Sequence, residues 1–581
     1  MRIRASPRLE FSMRISWSQP MPKRRSAMRS SCPCDRASGV LRASSTTKSL
    51  PRPCILRKGS PWGENEGETL IDYDPDIGSQ TWKPGPAEQR LGPTIHWRYN
   101  GFSVKGKTRG LAGLRIGLPD RMQRQRAPLA FASALRSWGG MAATAILGSA
   151  LFFSGPLGAQ GEVQSESRPK PVVTPIQVPN LSLGVVIFPN GKAINLSVGT
   201  GSGAYRSPND IPGRVWLLTD RGPNIECNDA RRVIGVETEQ ACPGNRNGRI
   251  FPLPGFVPAI YAADIGHDNV ARINVYLPLK GKSGKPLSGR PPQGNGRYET
   301  AYAIDGKLLA PDPSGVDPEG LVRLSDGSFW VADEIGPSLL HVASDGTVLK
   351  RLVPQGLQND FKDADYDVVP SLPPILRYRA LNRGFEALAL SPDEKFLYVM
   401  LQGPLANPDN ETARRSRNVR LWKIARETGE IAGQYYYQSD DISSYTGDAD
   451  GRERSQSRVV LSELAAIAED RLVVLERVDR HARFYAVQLS DENRVPRLFD
   501  NPEYGPGLEW MDAPQLGLRG VLPLGKSLLL DSEMAAGLPA KIEGLAITGP
   551  NELVVINDND FGVDGVRTQM FRVTLPQPLI R

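Results

Sequence analysis

Glu386-Ala387-Leu388-Ala389-Leu390-Ser391-Pro392-Asp393-Glu394-Lys395-Phe396-Leu397-Tyr398-Val399-Met400-Leu401-Gln402 reads as a β-hairpin opened by a carboxylate and closed by a polar residue. An apolar run and a second run rich in strand formers flank the turn cluster Ser-Pro-Asp-Glu. The plan recurs from Glu319-Gly320-Leu321 to Asp333-Glu334, from Glu463-Leu464-Ala465 to Glu476-Arg477, and from Glu543-Gly544-Leu545 to Asp558-Asn559. The four opening glutamates stand 67, 77 and 80 residues apart. Repetition at long, irregular spacing, with only β-type patterning inside each copy, predicts an all-β chain folded as a β-propeller enlarged by loops. A strand of about six residues travels about 20 Å and its partner returns the same distance, so the opening glutamate and the closing acid lie at one end of each hairpin. With these hairpins as the inner strands of the blades, the acidic groups converge on one mouth of the central channel.

A more diverged copy lies upstream. Ser202-Gly203-Ala204-Tyr205, the turn-rich Ser207 to Gly213, and Val215-Trp216-Leu217-Leu218-Thr219-Asp220-Arg221 follow the plan with serine in place of glutamate. Five hairpins are thus visible. The long interval between Ser202 and Glu319 has room for one more, so six blades are expected, with five and seven as alternatives.

Several of these segments resemble one known family when taken in order. Asp220-Arg221-Gly222-Pro223-Asn224, Asp317-Pro318-Glu319-Gly320-Leu321, the run from Phe329 to Ser338, Gly384-Phe385-Glu386-Ala387-Leu388 and Asn557-Asp558-Asn559-Asp560-Phe561-Gly562 are similar to the bacterial family described as esterase-like activity of phytase. The resemblance runs from about Leu181 to the C-terminus and implies a secreted, propeller-like domain whose repeated Glu and Asp residues serve phosphoester chemistry. Gln402 in place of an acid and Ser202 in place of Glu are departures, and both leave the carboxylate ring incomplete.

The N-terminal part reads differently. Arg124, Arg126 and Arg136 precede an uncharged stretch at 141–153, and Leu157-Gly158-Ala159 follows before Gln160. A basic start, an apolar core and a small-residue cleavage site make residues 122–159 a secretory signal. The apolar core is shorter than the roughly 20 residues needed to cross a bilayer, so no stable membrane anchor is expected after cleavage. Residues 1–121 are rich in Arg, Ser and Pro without periodicity, which predicts disorder or a misassigned start with translation beginning at Met122. Residues 160–180 read as a linker and 181–581 as the propeller domain.

Charge follows the same division. Residues 1–159 hold 25 basic and 10 acidic side chains, whereas 160–581 hold 46 and 53, a net charge of −7. A mildly acidic secreted protein is not expected to bind nucleic acid, and it is expected to act as a monomer in the periplasm or outside the cell. Cys227 and Cys242, 15 positions apart in a loop rich in Pro, Asn and Gly, read as a disulfide that pins the rim of the mouth.

Carboxylates gathered in one small space raise one another's pKa unless a cation compensates them. Ca2+ takes six to eight oxygen ligands and fits best; Mg2+ and Mn2+ accept the ligand type with stricter geometry. The metal-facing candidates are Glu319, Glu386, Glu463, Glu543, Asp558 and Asp560, and the catalytic candidates are Asp220, Arg221, Asp333 and Glu334. Arg221 would grip phosphate bidentately, with Arg383 or Arg477 assisting. A glutamate at the start of an inner strand has an equally available structural role, accepting N–H bonds from the neighbouring blade.

Other chemistries lack their residues. Gly-x-Ser-x-Gly is absent, His267, His341 and His481 form no metal motif, and Gly281-Lys282-Ser283-Gly284-Lys285 lacks the spacing of a phosphate-binding loop. Asp448-Ala449-Asp450-Gly451 has no matching glutamate and reads as a plain turn. The expectation is a calcium-dependent hydrolase of small phosphoesters. A metal-dependent lactonase and a non-enzymatic binding platform with a structural cation are the alternatives. Lys and Arg lining the acidic mouth would favour phosphoesters, and an apolar lining would favour lactones.

Overall fold

The structure, a computed structural model, describes residues 94–99, 102–107, 170–446 and 455–579. The signal segment, most of the N-terminal extension and the turn at 448–451 lie outside the described residues. The chain divides into two units, 1–154 and 155–581. In the first, Thr94–Tyr99 pairs antiparallel with Phe102–Lys107.

The second unit is a β-propeller. Among the described residues it has five sheets of four or five strands, each built outward from one of the five hairpins. Blade 1 comprises Gly203–Tyr205, Arg214–Leu218, Ala259–Ile265 and Ala271–Pro278. Blade 2 runs through Pro318–Arg323, Phe329–Asp333, Ser338–Val342 and Val348–Pro354, with Asp367–Leu372 added in parallel at its edge. Blade 3 holds Phe385–Leu390, Phe396–Leu401, Asn418–Ala425 and Ile431–Gln438, and blade 4 holds Val460–Ala468, Arg471–Arg477, Ala482–Gln488 and Lys526–Asp531. Blade 5 joins Ile542–Gly549, Glu552–Asn557 and Met570–Thr574 to Val172–Ile176 from the other end of the domain. This last pairing closes the ring, and each innermost strand abuts the innermost strands of the two neighbouring blades.

Among the described residues the ring therefore has five blades, the lower alternative to the six expected. The interval after Ser202 is long for another reason: an insertion between the second and third strands of blade 1 carries the Cys227–Cys242 disulfide and short helices. A small sheet of Ile225–Glu226, Arg249–Ile250 and Ala301–Tyr302 supports it. Strands enriched in β-branched and aromatic residues pack blade against blade, as where the Trp216 and Phe329 rings meet edge to face at 5.0 Å.

Glu463 shows how the ring is tied at its centre. Its carboxyl group accepts the backbone N–H of Leu464 (3.0 Å), of Ala204 in blade 1 (3.3 Å) and of Leu388 in blade 3 (3.4 Å). Burial pushes its pKa well above the usual carboxylate range. Glu463→Ala strands three buried donors and is expected to cost about 1–3 kcal/mol of stability. Glu463→Gln, which keeps one acceptor oxygen, should lose less; urea denaturation of the two variants checks the ranking.

Candidate metal-binding mouth

The position of each acidic side chain follows from one irregularity repeated around the ring. Pro318 pairs with Asp333 and Gly320 with Ala332, leaving Glu319 as the extra residue of a β-bulge. Glu386 stands between Phe385 and Ala387 in the same way, and Glu543 between Ile542 and Gly544. A bulge releases one residue from the alternation of the strand and re-aims its side chain, here into the channel. In blade 1, Ser202 lies between Gly201 and Gly203, both opposite Leu218. In blade 4 the bulged residue is Ser462, because Leu461 pairs with Glu476 and Glu463 with Leu475. Glu463 is thus one residue out of step with the other glutamates, does not line the mouth, and serves the backbone instead.

A second ring comes from the returning strands. Glu334, Gln402 and Asp558 directly follow Phe329–Asp333, Phe396–Leu401 and Glu552–Asn557, and Arg477 and Asp220 occupy the matching places in blades 4 and 1. All five line a cavity of about 660 Å3 at the end of the channel, together with Glu319, Glu386, Glu543 and Asp560. Asp333, one position earlier, faces the other way by strand alternation. It is fully buried against Arg351, accepts from Ser338 Oγ at 2.7 Å and from the Asp317 N–H at 2.7 Å, and does not line the cavity.

Arg221 lines the mouth with its guanidinium already engaged. It pairs with Asp317, donates to Glu299 at 2.6 Å and to Asn382 Oδ1 at 2.9 Å, and lies 3.5 Å from Glu334. Its partner is Asp317 rather than Asp220, whose carboxylate accepts the Gly222 N–H at 2.7 Å. Arg477 likewise pairs with Glu543, while donating to Ser462 Oγ at 3.0 Å. Lys541 bridges Asp558 and Asp560 at 2.8 and 2.6 Å. Arg383 lines the cavity and, among the described residues, donates one hydrogen bond, to the Asn382 carbonyl at 2.6 Å.

The carboxylates carry the electrostatic cost of this crowding. Burial, then the neighbouring Asp317, pushes Glu334 up to about 7 against the opposing pull of Arg221. Burial likewise pushes Glu543 up to about 7 and Asp560 up to about 6, the latter also raised by Asp558. Asp220, Glu319 and Glu386 are raised well above the ordinary range, first by burial and then by neighbouring carboxylates, Asp317 foremost for Asp220 and Glu319. Burial opposes ionisation of Asp558, yet Lys541 holds it below its ordinary value.

Two sets of oxygens are close enough to share an ion: Asp220, Asp317 and Glu319 form one, and Glu319, Glu386 and Glu543 the other, with the oxygens of each set within 4.8 Å of one another. The donor count favours a cation there. Glu386 Oε2, Glu334 Oε1 and Gln402 Oε1 are buried acceptors with no hydrogen-bond donor among the described residues, a costly state unless a cation or water meets them. Asp317, Glu299, Asn382 and Lys541 were not among the candidates from sequence. Asp317 sits in the quoted Asp317-Pro318-Glu319 motif, whereas Glu299, Asn382 and Lys541 lie in connections without a repeat to mark them.

The disulfide-bonded loop forms part of the wall. Cys227 and Cys242 are joined, with Cα atoms 5.9 Å apart, and Glu226, Asp229, Arg232 and Arg249 from this insertion line the cavity.

Residues 197–561 match the family model described as Phytase-like, esterase-like activity of phytase. The chain belongs to this family. The matched residues take in both rings of the mouth. An uncharacterised secreted protein of Arthroderma benhamiae is 30% identical over 276 residues, covering 42% of this chain and 51% of the relative. The chain thus spans about half the length of that curated relative. Among solved structures, the PQQ-bound aldose sugar dehydrogenase of Streptomyces coelicolor is similar at 10% identity and a TM-score of 0.27, covering 70% of this chain and 100% of its own. Regucalcin of Agrobacterium tumefaciens, a calcium-binding protein, is similar at 13% identity and a TM-score of 0.26, covering 70% and 99%.

The raised carboxyl groups fix a pH dependence for this phytase-like domain. Glu334 and Glu543 titrate near 7 in the folded protein against a reference of 4.5, so the fold holds their protons more tightly than the unfolded chain does. Their contribution is fully present below the unfolded value and is lost as pH rises through about 7. In chelator, Tm is expected to fall by several degrees between pH 5 and pH 7.5, and the double variant Glu334→Gln, Glu543→Gln should flatten that slope.

Proposed function

We propose that this protein is a metal-dependent hydrolase of small phosphoesters that works outside the cytoplasm. The observation that carries the reading is the lining of the mouth: donor-free acidic and amide oxygens at the centre, with arginines and a lysine around them. The few apolar side chains there, Ile225, Val233, Val460 and Val563, give little support to a lactone substrate.

Glu319, Glu386 and Glu543, with Gln402 Oε1, would hold the cation, and calcium suits an all-oxygen set of this kind best. A bound cation would polarise the phosphoryl oxygen and acidify an attacking water. Arg383, which among the described residues makes no ion pair and attracts Glu334 only at longer range, would receive the phosphate oxygens that Arg221 is too fully engaged to take. Glu334 Oε1, a buried acceptor without a donor, would take the proton from the attacking water. Asp220 and Asp558 would add negative charge that holds the cation, while Asp333 acts on stability through Arg351. Membership of the family adds no substrate of its own; the secreted relative and the disulfide support an extracellular or periplasmic site of action.

Turnover of phosphomonoesters and phosphodiesters against calcium tests the reading. Calcium should raise both Tm and turnover, Glu386→Gln should lower kcat by about 100-fold, and Arg383→Ala should raise KM by about tenfold. A rise in Tm with no phosphoester cleaved would instead make the cation structural and the propeller a binding platform.

A further inference from the structure

We propose that the mouth is a dinuclear cation site in which Glu319 is the carboxylate shared between the two ions. The inference rests on the reading above that a cation binds here, and adds the number of ions and the residue that couples them.

The two oxygen sets are built alike. Each contains Glu319. Each contains one carboxylate steadied by an arginine, Asp317 by Arg221 and Glu543 by Arg477. Each is completed by a carboxylate that makes no ion pair among the described residues, Asp220 in the first and Glu386 in the second, although Arg221 and Arg477 act on them at longer range. An arginine on one oxygen of a carboxylate fixes its plane and leaves further lone pairs for a metal.

Unpartnered acceptors mark both sets independently of the clustering. Gln402 Nε2 donates to Glu386 Oε1 at 2.5 Å, which fixes the orientation of the amide and leaves Gln402 Oε1 and Glu386 Oε2 both buried without donors. Glu334 is the counterpart beside the first set. Its Oε2 lies 3.5 Å from the same Arg221 Nη2 that pairs with Asp317, and its Oε1 has no donor. Gln402 thereby acquires a reason to depart from the acidic repeat: an amide oxygen ligates a hard cation without adding charge.

Charge balance favours two ions over one. Twelve acidic and seven basic side chains line the mouth, an excess of five negative charges once every carboxyl is ionised, the state that cation ligation favours. One divalent cation leaves three, which still repels an incoming phosphate; two leave one. Two cations spanned by a carboxylate also suit a phosphoryl group, whose attacking and leaving oxygens can each be stabilised.

Equilibrium dialysis of calcium against the chelator-stripped, purified protein tests this, with calcium itself as the probe. Two ions per chain are expected in the wild type. Glu319→Gln should weaken both by about tenfold or more, whereas Glu386→Gln and Asp220→Asn should each weaken one and spare the other. One ion per chain in the wild type overturns the dinuclear site but leaves the proposed metal-dependent function standing. No ion at all overturns both. Two ions of which Glu319→Gln disturbs only one overturns the sharing, and would place the other ion elsewhere, for example at the separate His481, Asp531 and Glu533 cluster. The wild-type stoichiometry decides between one ion and two even where a variant does not fold.

Discussion

A single unpaired residue near the start of each innermost strand decides which side chains this propeller turns into its channel. Regular pairing would send successive side chains alternately to the two faces of a blade, into the packing against neighbouring blades. The bulge removes one residue from that alternation and frees its side chain to turn along the channel. Three of the five such positions hold glutamate, at 319, 386 and 543, and two hold serine, at 202 and 462. Close packing around the bulge is part of the device: a Cβ on Gly320 would come within 2.9 Å of the Leu388 nitrogen in the next blade. The residue after the bulge is accordingly small in each blade that presents a glutamate, being Gly320, Ala387 or Gly544.

Gathering acids at a narrow mouth works against folding, and buried basic residues offset part of the cost. Arg221 ties Asp317 at the start of blade 2 to Glu299 in the preceding loop and to Asn382 just before blade 3. A buried arginine so placed stabilises less by net attraction, since its own desolvation is large, than by supplying donors to three buried acceptor residues. Its neighbourhood is therefore rigid, whereas Glu319, Glu386 and Glu334 retain unspent basicity. The fold keeps a structural ion pair and a mouth-facing carboxyl on adjacent residues: Asp333 faces inward to Arg351 while Glu334 faces the mouth.

The sequence alone carried much of this arrangement. Apolar runs broken by turn clusters located all five inner hairpins, and their end-to-end geometry placed the opening and closing acids together. What it did not carry was register. Ser462-Glu463 looks like the other copies when its glutamate is aligned, yet backbone pairing aligns its serine, and a slip of one residue exchanges channel for blade interior. The same period-two ambiguity left Asp333 and Glu334 equally eligible. Asn382 and Lys541 reach the mouth, and Glu299 reaches Arg221, from connections whose paths depend on tertiary packing and carry no repeat. The blade count failed for a related reason, because length between hairpins does not distinguish a blade from an insertion.

The divergence of blade 4 gives the mouth its polarity. At the bulge it offers Ser462, and at the closing position Arg477, where blades 1, 2 and 5 offer Asp220, Glu334 and Asp558. Arg477 joins the two departures by donating to Ser462 and pairing with Glu543 of the next blade. A fivefold ring of carboxylates at both levels would have no preferred side. Substituting a serine and an arginine in one blade leaves the bulge and closing acids on blades 1, 2, 3 and 5, with Glu543 drawn toward Arg477 of blade 4. Low-dielectric walls sharpen such a gradient, so blade 4 marks the least acidic side of the mouth.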